Sequence, residues 1–229
     1  MFRRFAAVIL SAILLSPGWL GMTGMTLLIG FVPLLWVSAS YDDTRRSWWG
    51  MFGWATLAFV LWNALTIWCA TPVGPPAATL ASTTMNMIAF MLFHTVSKKA
   101  PKALAYVTLV TAWITTEYWY TVGDFSWPWL ILGNGFSHEV WAVQWYEYTG
   151  VFGGTLWVLL SNILIFEALQ ARRSTRRWAA AACSVALPMI ASLCIWQSWE
   201  QPDEGTARVS VIQPNVDCYD KFNGDTQRQ

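Results

Sequence analysis

The sequence predicts an all-α polytopic membrane bundle of about seven transmembrane helices, followed by one β-strand that opens a further domain. Three observations carry this reading. The 229 residues are 55% hydrophobic and 12% charged, half the charge of an ordinary soluble domain. Apolar runs long enough for a bilayer span alternate with short polar breaks. Basic residues fall in every second break. The 17 tryptophans suit the same class, because indole rings favour the membrane–water interface.

The first apolar run, Phe5 to Ala39, is too long for one helix and is interrupted at Ser16, Pro17 and Gly18. It gives spans at about 4–20 and 22–40. A third span covers about 48–70 and stops at the proline-rich stretch Thr71 to Pro76. The fourth and fifth cover about 77–96 and 103–121. The sixth and seventh cover about 151–171 and 178–199. Residues 1–200 are thus the bundle, and 201–229 begin a second, incomplete domain. No internal repeat or low-complexity tract is present. Met1 to Leu15 can also be read as a signal peptide, but a small-x-small cleavage site is lacking.

Arg3 and Arg4 precede span one, and Arg45 and Arg46 separate spans two and three. Lys98, Lys99 and Lys102 separate four and five, and Arg172, Arg173, Arg176 and Arg177 separate six and seven. The alternate connections carry no Lys or Arg. By the positive-inside rule the N-terminus is cytoplasmic and the tail lies outside. A net charge of +1 gives no reason to expect a nucleic-acid partner. The four cysteines, Cys69, Cys183, Cys194 and Cys218, form no Cys-x-x-Cys pair. Neither a metal site nor a redox cofactor is implied, and no cofactor is expected.

The fifth-to-sixth connection is about 30 residues long, a length usually reserved for function. Its second half, Val140 to Tyr148, has mixed helical spacing and reads as a short interfacial helix or as an aromatic belt. Within the spans, Asn63 and Asn162 are placed for helix–helix hydrogen bonds. Glu117, Glu167 and His94 lie near span ends, within reach of interfacial water. No proton relay or repeated, broken helix pair is visible.

After Trp199 the chain turns acidic, and Arg208 to Gln213 has the β-branched content of a strand ended by Pro214. Val209 to Val216, with Lys221 and Phe222, resembles the first strand of the nitrilase-like domain of bacterial apolipoprotein N-acyltransferases. Gln213, Asn215 and Lys221 match that pattern. Pro214 stands for the usual glycine and Phe222 for the usual tryptophan, as in Bacteroidetes-type members. Phe31 to Leu35, Ser126 to Gly133, and the series Gln144, Thr149 to Gly153 and Asn162 resemble membrane-part elements of the same family. The resemblance covers nearly the whole chain.

The resemblance implies transfer of a fatty acyl chain from a phospholipid donor to the amine of a diacylglyceryl-cysteine on an apolipoprotein acceptor. The implied route is a cysteine thioester, assisted by a glutamate base and a lysine that stabilises the oxyanion. No catalytic residue is assigned. Cys218 lies in the turn directly after the strand, no glutamate follows Glu204, and Lys221 belongs to the strand motif. The chain alone is therefore expected to be inactive. Phe222 is the foremost substrate-contact candidate, or else a packing residue after the strand. Lys221, Gln213, Asn215, Trp127 and Gln144 complete the candidate substrate-binding set. The alternative is a non-enzymatic seven-span protein such as a transporter subunit, receptor or scaffold. A downstream reading frame encoding Glu, Lys and Cys in nitrilase contexts separates the two. One strand has no sheet partner and is not expected to be stable by itself.

Overall fold

The computed structural model describes residues 1–67, 74–123, 128–200, 205 and 208–213. It divides into two units, Met1–Ser198 and Trp199–Gln229. Among the described residues every regular element of the first unit is helical. Helix α1 runs Phe2–Leu15, followed by 3-10 turns at Pro17–Trp19 and Gly24–Thr26. Helices α2 (Leu27–Gly30) and α3 (Val32–Ala39) form one broken leg. Then come α4 (Arg45–Thr66), α5 (Gly74–Lys99) and α6 (Lys102–Val122). Three 3-10 turns, at Pro128–Leu130, Leu132–Phe136 and Val140–Ala142, lead to α7 (Tyr146–Gln170) and α8 (Thr175–Ser198).

These helices make seven legs. At 1.5 Å per residue, 21 or more residues reach about 30 Å, the thickness of a bilayer core. Among the described residues three stretches are both long and apolar enough to span by composition: Phe2–Trp19, Tyr146–Gln170 and Thr175–Ser198. Helices α4, α5 and α6 have the length but are less apolar: α5 and α6 carry more Thr, Ser and Asn, and α4 carries Arg45, Arg46 and four tryptophans. Large apolar side chains also cover the outside. Ile13, Leu80, Val107, Leu160, Leu187 and Ile190 are among those exposed. Contiguous apolar exposure on this scale is foreign to a soluble monomer and natural in lipid.

The broken leg is central. It lies between α1 on one side and α7 on the other, and Leu27, Leu28, Phe31, Leu34, Leu35 and Val37 are buried. The break has a local cause. In a continuous helix the Pro33 ring would clash with the carbonyl of Ile29 and its nitrogen could donate no bond. The Asn162 amide of α7 fills the gap. Its Oδ1 accepts from the Phe31 N–H at 2.7 Å and the Val32 N–H at 3.2 Å. Its Nδ2 donates to the Leu27 carbonyl at 2.7 Å and to the Val158 carbonyl at 2.8 Å. The side chain thus stands inside the Phe31-to-Leu27 step of the helical ladder, a recognised cause of a kink. Ser11 of α1 donates to the Gly30 carbonyl on the other side of the break.

Basic connections gather at one end of the bundle. Arg4 donates to the Ser40 hydroxyl and carbonyl at 2.9 and 2.8 Å and lies over the Tyr41 ring. Lys98 donates to the Ser38 and Tyr41 carbonyls at 2.9 and 2.8 Å, closing the C-terminus of α3. Glu167 pairs with Lys102 at 2.9 Å and Arg177 at 3.0 Å.

Five expectations need correction. Asn63 makes no helix–helix bond among the described residues: its Nδ2 donates to the Phe59 carbonyl of its own helix at 2.8 Å, and its Oδ1 has no partner there. Arg208 to Gln213 is not a strand: the segment has no regular structure, and Val209, Val211 and Ile212 are 76, 87 and 87% exposed. No strand among the described residues lies beside it to complete a ladder, so its β-branched content alone cannot hold it extended. Val140 to Tyr148 is not an interfacial helix but a 3-10 turn and the first turn of α7, which is kinked at Gly150 (φ 64°). Glu117 and His94 do not reach interfacial water; they are 3% and 1% exposed, the first covered by the long connection and the second bonded to Ser38 at 2.8 Å.

Replacing Asn162 with Leu keeps the branching of the side chain but orphans two backbone donors and one carbonyl. Unfolding in detergent should show a loss of about 1–3 kcal/mol, more than the ~0.6 kcal/mol typical of one interhelical hydrogen bond in a membrane protein. A loss of a few tenths would mean that the break is satisfied without Asn162.

Candidate functional site

The end opposite the basic connections is built by the long connection sinking into the bundle. Leu130, Ile131, Leu132, Phe136, Ala142 and Val143 are all buried. Pro128, Gly133 and Gly135 interrupt any α-helix, and short 3-10 turns take its place. The descent needs bare backbone. A Cβ on Gly18 or Gly24 would stand 2.3 Å from the Gly135 carbonyl oxygen, so the Ser16–Thr26 hairpin and the connection touch main chain to main chain.

Two carboxylates hold the connection. Glu117 of α6 accepts from the Leu132 N–H at 2.8 Å, the Trp113 indole at 3.0 Å and the Thr155 hydroxyl at 2.5 Å. Thr155 in turn accepts from the Gly133 N–H at 3.3 Å. Among the described residues no cation pairs with Glu117. The carboxyl is satisfied by fixed N–H and O–H donors, which suits it to position backbone. Glu139 accepts from the Gly24 N–H with both oxygens, at 3.2 and 3.1 Å. Trp19 donates to the Trp129 carbonyl at 2.7 Å, and Tyr146 to the Gly133 carbonyl at 2.9 Å.

This frame encloses a cavity of about 520 Å³ rimmed by Trp19, Trp129, His138, Tyr146 and Val151. A second recess, about 640 Å³, lies between α4 and α5. Phe52, Val60, Leu80, Ile88 and Met91 make its walls apolar. The buried Thr83 hydroxyl on its lining has no hydrogen-bond partner among the described residues. Aromatic side chains rim the first, with Asn134, Ser137 and His138 on its lining; the second is mainly apolar, with threonines at 56, 79, 83 and 84.

The family described as apolipoprotein N-acyltransferase N-terminal domain matches residues 6–164, from α1 through Asn162. The chain belongs to this family. It is 28% identical over 209 residues to the apolipoprotein N-acyltransferase of Chlorobaculum tepidum, an alignment that covers 86% of this chain. The chain spans 38% of that relative's length. No solved structure matches it.

Of the six candidate substrate contacts, Trp127, Asn215, Lys221 and Phe222 lie outside the described residues. Gln213 is exposed in the second unit and in no regular element. Gln144 closes a turn: its Nε2 donates to the Val140 carbonyl at 2.8 Å and its backbone N–H donates to Ser192 of α8 at 2.7 Å. It does not line either recess. Trp19, Trp129, His138, Tyr146 and Thr83 were not among the sequence candidates. The glycines at 18, 24, 133 and 135 are the signal that marks the connection as packed.

Glu117→Leu should leave the Leu132 amide unpaired, so hydrogen exchange across 131–136 accelerates by roughly 5- to 150-fold, as loss of ~1–3 kcal/mol of local protection requires. Glu117→Gln keeps an acceptor oxygen and should remain near wild type. Wild-type exchange rates in Glu117→Leu would show that Glu117 does not hold the connection.

Proposed function

We propose that this chain is the membrane portion of an enzyme that transfers a fatty acyl chain from a phospholipid to the N-terminal amine of diacylglyceryl-cysteine on an apolipoprotein. The observation that carries the reading is the recess between α4 and α5. An apolar groove with an unsatisfied Thr83 hydroxyl offers a place for an acyl chain and one donor for its ester carbonyl. Family membership supplies the reaction class, and this chain supplies lipid binding and orientation. Both substrates are anchored by lipid, so each has to approach sideways from the bilayer. An exposed groove between two helices permits that approach. Of the six buried polar side-chain atoms without a partner among the described residues, the Thr83 hydroxyl is the one on this groove's lining.

In this reading the basic end faces the cytoplasm of a bacterial inner membrane, and the sunken connection with the segment after Trp199 faces outward. The resemblance of residues 209–222 to the first part of a nitrilase-like domain supports chemistry on that outer side. Trp127, Gln213, Asn215, Lys221 and Phe222 then remain substrate contacts to be tested there. The catalytic groups themselves are assigned to none of the described residues.

Purified chain in nanodiscs containing a phospholipid with a diazirine in its acyl chain should be labelled within 52–60 and 79–91 on illumination. Thr84→Trp, which fills the groove from an exposed position, should lower that labelling several-fold. Labelling spread evenly over the outer faces of α1 and α8, unaffected by Thr84→Trp, would refute the assignment.

A further inference from the structure

The basic end holds a third recess, of about 350 Å³, between α3, α5, α6 and α7. Its floor includes Phe93, Ala105 and Phe166, and its rim includes Ser97, Lys98 and Lys102. It lies apart from the groove between α4 and α5, with which it shares no lining residue.

Charge around this recess is unbalanced. The connections at this end carry eleven basic side chains against the three carboxylates Asp42, Asp43 and Glu167. Glu167 is shared by Lys102 and Arg177, so that cluster retains a positive charge. Lys98 donates to two main-chain carbonyls, and among the described residues no carboxylate forms an ion pair with it. An ammonium has three donors, and these two carbonyls engage two of them.

We propose that this recess binds the phosphate of an anionic phospholipid, held by Lys98 and Lys102, with the start of its acyl chains against Phe93 and Phe166. The apolar floor favours a lipid over a free phosphate ion. Basic recesses between membrane helices on the cytoplasmic side are suited to such head groups. The site is separate from the proposed acyl donor groove and would tie the bundle to an anionic leaflet.

Native mass spectrometry of the whole chain, released from nanodiscs of mixed phosphatidylglycerol and phosphatidylcholine, tests this. Wild type should retain phosphatidylglycerol in preference to phosphatidylcholine. Lys102→Gln, at a side chain that is 69% exposed and so not needed for folding, should lower retention about fivefold, the factor one lysine contributes beside a phosphate. Lys98→Gln should do the same, with a lower melting temperature because it also closes α3. Arg46→Gln at the same end should leave retention unchanged, and Thr84→Trp, which blocks the other groove, should leave the preference for phosphatidylglycerol over phosphatidylcholine unchanged. Equal retention of the two lipids, an equal loss in Arg46→Gln, or displacement of the lipid by millimolar glycerol phosphate would each overturn the proposal.

Discussion

One asparagine amide satisfies the helix on which the rest of the bundle packs. The central leg cannot run straight through Pro33, and a break buried in lipid-soluble surroundings leaves N–H and C=O groups with no water to turn to. Asn162 meets the Phe31 and Val32 N–H groups and the Leu27 carbonyl at once. Because α2 and α3 lie between α1 and α7, the positions of both flanking helices follow from that contact.

The same helix does a second task two turns away. Thr155 and Asn162 are seven residues apart, so they share a face of α7. Asn162 seats the broken leg, and Thr155 joins Glu117 in holding Leu132 and Gly133. The two ends of the bundle therefore use opposite chemistry. At one end cations close helix C-termini and share a carboxylate. At the other, carboxylates receive main-chain N–H groups and pull a glycine-containing connection inward. This asymmetry gives the molecule one end suited to an anionic leaflet and another that presents an aromatic-rimmed cavity.

The helices were legible because a bilayer demands long apolar runs, and the charge alternation divided them. The break at Pro33 and the role of Asn162 were only half legible: an asparagine in an apolar run announces a hydrogen bond but not its partner. Glu117 was misplaced because position along a helix says nothing about what covers its end. The connection escaped because 3-10 turns held by remote carboxylates leave no periodic pattern. The segment 208–213 misled for a different reason: β-branched residues favour a pleated surface only where a neighbouring strand supplies one. Family motifs included Gly133 and Asn162, whose contacts hold the connection and the broken leg. They did not distinguish Gln144, which closes a turn, from Trp129 and Tyr146, which line the cavity.

The central claim is that the basic connections and the sunken connection lie on opposite sides of one membrane. In a cysteine-free background, Ser137→Cys and Arg173→Cys place single thiols at exposed positions on the two ends. An impermeant maleimide added to intact bacterial spheroplasts should label Ser137→Cys at once and Arg173→Cys only after lysis. Labelling of both before lysis, or of Arg173→Cys alone, would contradict the account.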